Sequence, residues 1–225
     1  MAKARVFTKK ELKEMATQPM AVALEAVEAG DKEKAKEYIK RMHDDAQRIV
    51  DSYLNWVADL MDYIYVNYGE KVFEKAMRLH FERSEGKRAQ AYDKMDFRTR
   101  IQTHAALLRT LLQKMEIEED DEKVTIKMNP CGSGQRLLES GAYDPPRSLS
   151  RMRPHRLTWS RPNFPIYCSH GALQEIVSME TVGYPTYLHV IPEQIATEPC
   201  RFCYYKDPRD IPEEVYKRVG MKKPK

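Results

Sequence analysis

The sequence holds no apolar run near the roughly 20 residues that a membrane-crossing helix needs. Its opening, Met-Ala-Lys-Ala-Arg-Val-Phe-Thr-Lys-Lys, lacks the apolar block of a secretory leader. A cytoplasmic protein without a membrane partner is therefore expected. Cysteine is scarce, with four residues in 225, too few for a disulfide framework. The net charge is only +4 and no recognised nucleic-acid motif accompanies it, so nucleic acid is not an expected partner. Proline and glycine are nearly missing from one half. Only one of the 13 prolines and three of the 9 glycines precede residue 130. Charge divides the same way: residues 1–122 carry 22 Lys+Arg against 24 Asp+Glu, and residues 123–225 carry 16 against 10. The expected organisation is a helical domain over 1–122 and a cysteine-rich metal-binding domain over 123–225. The fold class is α+β, an antiparallel helical bundle packed on a small antiparallel sheet with long loops.

Helical periodicity fills the first half. A short helix is predicted over Met20–Glu28, ended by Gly30 in a left-handed conformation, with Asp31 capping the next helix. That helix places Ile39, Met42, Ala46, Ile49, Tyr53, Val57, Leu60 and Ile64 at steps of three and four, one helical face. Gly69 should break it. Further helices are predicted over 70–83 and 87–115, and short links imply antiparallel neighbours. The helical half offers a face for a homodimer. The aromatic residues Tyr53, Trp56, Tyr63, Tyr65 and Tyr68 read mainly as core, with one of the Tyr63/Tyr65 pair left to line a pocket. The run Glu116–Glu122 has six carboxylates in seven residues and reads as a solvated connector.

The second half reads differently. Lys123–Met128 alternates polar and apolar residues, a strand pattern. Residues 129–167 are mostly loop, and a helix follows over 171–179. The turn Gly183-Tyr184-Pro185 leads to a strand over 186–191 and an antiparallel partner over 202–205.

All four cysteines, Cys131, Cys168, Cys200 and Cys203, fall in this half, each beside turn residues. Two thiolates at 200 and 203 suit one metal provided the chain turns there, because in a straight strand residues three apart face opposite ways. With His170 there are five candidate ligands for a tetrahedral site. Zinc takes Cys₄ or Cys₃His, and a [4Fe–4S] cluster takes four thiolates. The histidine and the one-residue spacing from Cys168 favour zinc. Buried free thiols are the plain alternative. His170, if left uncoordinated, is the candidate acid or base of a catalytic site; its bland reading is a helix-terminal residue bonded to its neighbours.

Cys131-Gly132-Ser133-Gly134-Gln135-Arg136 is a strand–loop–helix segment in which Ser133 and Arg136 are candidate substrate-binding residues. Arg136 suits a carboxylate or phosphate, although a tight turn that simply positions Cys131 explains the glycines equally. Residues 147–161 hold Arg147, Arg151, Arg153, Arg156 and Arg161 around Trp159, a third candidate for substrate contact. A solvated loop that uses its arginines to tie itself down is the plainer reading of this stretch.

The stretch Cys168-Ser169-His170-Gly171, Gly183-Tyr184-Pro185 and Pro199-Cys200-Arg201-Phe202 resembles the vinyl-reductase-type (4-vinyl reductase) small-molecule-binding domain. The resemblance covers about 40 of the 225 residues. It implies a cysteine-bound zinc near a buried pocket for aromatic or lipid-like molecules, with Cys168 and Cys200 at the matching positions. Cys203, the 129–138 loop and the arginine stretch have no counterpart in that pattern. Together these readings lead to a metalloprotein whose Cys/His-held metal borders a small-molecule pocket, an enzyme acting on a small carboxylate or aromatic compound. The alternative is a non-catalytic, vinyl-reductase-like sensor module with a structural zinc.

Overall fold

The computed structural model describes residues 6–224 and is α+β. The described chain divides into two compact units, one up to Ser52 and one from Tyr53 onward. No described helix is long and apolar enough to cross a membrane.

The first unit is helical. Helix α1 (Lys9–Ala16) starts at a capping box in which Thr8 and Glu11 satisfy each other's backbone N–H groups. Helix α2 (Pro19–Glu28) carries proline in its first turn and stops before Gly30, which is left-handed at φ 74°. The Asp31 side chain then accepts the Lys34 backbone N–H at 3.1 Å, opening α3 (Lys32–Lys94). Helix α3 continues into the second unit, where its helical path is interrupted at Gly69 (φ 76°, ψ 176°). The aromatic residues expected in the core go outward: Tyr53, Trp56, Tyr63 and Tyr68 are exposed, while Tyr65 meets the buried Phe73 edge-on.

The second unit carries the sheet. Helix α4 (Phe97–Arg109) begins where the Asp96 carboxylate accepts the Thr99 N–H, so the predicted 87–115 helix is two elements and ends early. Strands β1 (Met115–Glu119) and β2 (Lys123–Met128) form a hairpin. The acidic run is therefore partly strand: Ile117 pairs with Ile126, and Lys127 ties Glu118 across the pair. After α5 (Gly134–Glu139) come a two-residue pair, β3 (Arg151–Met152) with β4 (Phe164–Pro165), then α6 (His170–Val182), β5 (Leu188–Val190), β6 (Cys200–Tyr205) and α7 (Glu213–Lys217). The main sheet is antiparallel in the order β1-β2-β6-β5. One face of it, with Ile126, Met128, Cys200, Phe202 and Tyr204, packs against Leu108, Ile101 and Ala105 of α4 and against Tyr92 and Tyr187.

His104 of α4 lies in this core, 2% exposed, beside the Tyr204 hydroxyl at 2.9 Å from its Nδ1. Burial, with Arg88 nearby, lowers its pKa from 6.5 to about 3. The unfolded imidazole gains a proton near 6.5 and the folded one only near 3, so stability is lost as pH falls between those values. The slope from this group approaches about 1.4 kcal/mol per pH unit. His104→Gln, which keeps an acceptor for Tyr204, is expected to flatten the acid limb of denaturant midpoint against pH. Equal slopes for both proteins would refute that.

Candidate functional site

Three of the four cysteines come together. Cys131 follows β2, Cys168 sits in the 3₁₀ turn Ile166–Ser169 that runs into α6, and Cys200 opens β6. They line one small cavity of about 30 Å³, together with Ser133, His170 and His189. That is room for one or two waters.

The loop carrying Cys131 is held from both sides by glutamines. Gln135 accepts the Cys131 N–H at 2.9 Å and donates to the Ala196 carbonyl at 3.0 Å, while Gln113 accepts the Gly132 N–H at 2.6 Å. A Cβ on Gly132 would stand 2.6 Å from the Leu111 carbonyl oxygen, and one on Gly134 would stand 2.5 Å from Cys168 Sγ. These glycines let the chain close on the thiols, as the tight-turn reading of the segment has it. The Cys131 sulfur lies 3.4 Å from the Ser133 hydroxyl. Its pKa is lowered, first by the Cys200 thiol beside it and then by Ser133 and the backbone N–H groups of Ser133 and Gln135. The same partnership and burial push Cys200 up, and burial pushes Cys168 up.

Cys203 is elsewhere. Strand β6 stays extended, so Cys200 and Cys203 face opposite sides of the sheet. Cys203 pairs in register with Thr125 and Leu188, and its sulfur lies 3.7 Å from the Thr125 hydroxyl. Arg136 also points away, donating to the Leu111 carbonyl at 3.3 Å. Trp159 is buried and gives its indole N–H to Glu175 at 2.9 Å. The arginine stretch ties down its own loop: Arg147 holds Asn55 and Asp59, Arg156 holds Glu74, and Arg161 donates to the carbonyls of Ile191 and Pro192.

His170 joins two spaces. It lines the thiol cavity and also a cleft of about 440 Å³ walled by Val57, Leu60, Met61, Ile64, Ala76, Met77 and Phe81. Its Nδ1 is 2.6 Å from the Tyr167 carbonyl, and its ring stacks on Phe81 with centroids 6.4 Å apart. Burial lowers its pKa to about 4, so the ring is neutral at pH 7. Among the described residues, no Lys, Arg, Asp or Glu lines the cleft.

Sequence reasoning passed over His189, on β5, and Glu175, on α6. His189 is 4% exposed, and neither ring nitrogen has a hydrogen-bond partner. Glu175 is buried behind it, with Oε1 at 3.5 Å from His189 Nδ1. No local signal marked His189, since only the pairing of β5 with β6 sets it opposite Phe202 and therefore on the Cys200 face.

Among the described residues, no group of three or more His, Cys, Asp or Glu side chains stands as it would around a metal ion. No family model, curated protein or solved structure matches the chain.

Proposed function

We propose that the protein is a small-molecule-binding module in which Cys131, Cys168 and Cys200 hold a single metal ion, zinc in first place, beside the apolar cleft. The observation that supports this is the meeting of three thiols from separated segments at one cavity whose wall, His170, is also a wall of the cleft. Thiolate and imidazole donors suit zinc, and bound zinc would fasten the three segments to one another. A cavity for one or two waters favours a single ion over the eight atoms of a [4Fe–4S] cluster. The thiols must close further around the ion than they stand here.

The cleft offers aliphatic walls, the Phe81 ring, Tyr167 and two histidines, and among the described residues no Lys, Arg, Asp or Glu. An apolar, aromatic-sized molecule suits it better than a carboxylate, and Arg136 is engaged elsewhere. One observation favours turnover of the bound molecule instead: a neutral imidazole, His170, between the thiols and the cleft is placed to move a proton.

Protein prepared under reducing conditions and gel-filtered is expected to carry close to one zinc per chain. The dye 1-anilinonaphthalene-8-sulfonate should bind once per chain, and Ala76→Trp, which fills the cleft, should weaken it by at least about tenfold, the equivalent of about 1.4 kcal/mol. Metal-free protein would overturn the metal, iron with acid-labile sulfide would replace zinc by the cluster, and undiminished dye binding by the variant would overturn the cleft.

A further inference from the structure

The three thiols leave a tetrahedral ion one donor short, and Cys203, the sequence's choice, faces the far side of β6. We infer that His189 is the missing ligand and that Glu175 is the carboxylate that orients its ring. This rests on the metal reading above and completes its donor set.

Four observations support it. His189 pairs with Phe202 across β5 and β6, two residues along from Cys200, so the histidine and that thiol share one face of the sheet. It lines the same small cavity as Cys131, Cys168 and Cys200. It is 4% exposed, with Nε2 unpartnered and Nδ1 meeting the Glu175 carboxylate only at 3.5 Å, although buried polar groups almost always find partners and an unmet one is costly. Finally, the fold makes room for the ring: a Cβ on Gly171 would stand 2.9 Å from His189 Cδ2 and 3.1 Å from Nε2.

The surroundings of the ring match what a metal-bound histidine needs. A histidine ligand commonly points its second nitrogen at a carboxylate, which fixes the tautomer and the ring plane. Glu175 Oε1 is 3.5 Å from Nδ1, which leaves Nε2, without a hydrogen-bond partner, as the nitrogen free to bind an ion. Glu175 is itself held by the Trp159 indole at 2.9 Å, the His189 backbone N–H at 2.7 Å and Arg218 at 2.7 Å. Trp159, expected at a substrate, thus serves the carboxylate behind the ligand. His170 is the competing imidazole. It is less deeply buried, its Nδ1 is taken by the Tyr167 carbonyl, and it also walls the cleft.

The test uses cobalt(II), whose visible bands report ligand number and whose near-ultraviolet bands report thiolates. The whole chain is stripped, reduced and titrated with cobalt and then zinc. The wild type should show thiolate-to-cobalt absorption with the intense visible bands of a tetrahedral ion. His189→Ala should keep the thiolate absorption, change the visible bands and lose about 100-fold or more in zinc affinity. Glu175→Gln should lose about 10- to 100-fold with unchanged band positions, as for other groups behind a ligand. His189→Cys guards against a variant that merely misfolds, since it should restore tight binding with added thiolate absorption. If cobalt binds the wild type and His189→Ala leaves spectrum and affinity unchanged, the inference is wrong and the thiol site stands. If His170→Ala produces the changes instead, His170 is the ligand and the inference is equally wrong. If the wild type gives no thiolate absorption, the metal reading fails and takes the inference with it.

Discussion

Cys200→Ser is expected to empty the site and lower the melting temperature by roughly 10 °C, whereas Cys203→Ser should keep the ion and shift melting by no more than a few degrees. With free zinc a thousandfold above its dissociation constant, binding adds about 4 kcal/mol to stability. For a chain of this length each kcal/mol moves the midpoint by about 2–4 °C. Cys200 contributes its sulfur to the cavity shared with Cys131 and Cys168. Cys203 contributes only a buried thiol beside the Thr125 hydroxyl, a neighbour a serine can keep. The contrast separates two cysteines three residues apart. Thermal melts paired with metal analysis decide it, and equal losses from the two variants would mean that β6 turns between them.

Gly134→Ala is expected to damage the site as severely without removing a ligand. The new methyl carbon would stand 2.5 Å from Cys168 Sγ, far inside van der Waals contact. Neither side has slack. Cys168 is 8% exposed, and Gly134 begins α5 between a loop pinned by Gln113 and Gln135 and the buried Leu137. Forcing extra volume into such packing costs about 1–3 kcal/mol, and under the proposed zinc site displacing the sulfur adds the loss of the ion. Reduced zinc content with a lowered midpoint is the expected result. Wild-type values for both would show that the Cys168 sulfur does not lie over Gly134.

Local signals made much of this fold legible. Gly30 and Asp31 announced a stop and a start, and both behave so. Gly69 marked the interruption of α3, and the alternation in Lys123–Met128 gave β2 residue for residue. The failures came where local preference was overruled or silent. Asp96 caps a new helix inside what periodicity reads as one continuous helix. The carboxylates of 116–122 hid a strand because pairing with β2, and not their own propensity, orders it. The outward aromatic face of α3 shows that apolar spacing names a face but not what lies against it.

Turn residues flank each cysteine in the sequence, yet which side chains line one cavity was not legible there. Cys203 and His189 lie on opposite faces of adjacent strands, and only the pairing of Leu188 with Cys203 and of His189 with Phe202 tells which one reaches Cys200. That register is a long-range fact, since the two strands are joined by a loop whose length does not fix it.

Strand β1 is one of the two edge strands of the sheet, and among the described residues one row of its backbone amides and carbonyls has no neighbouring strand. Such a row is a template on which a second chain can grow the sheet. Here the template is guarded by Glu116, Glu118 and Glu119 around the exposed Ile117. Glu118 and Glu119 are paired with Lys127 and Lys206, so the edge carries charges of both signs, which a second strand would have to desolvate in order to pair there. The acidity that looks like a spacer in the sequence is thus, in part, the charged edge of a sheet.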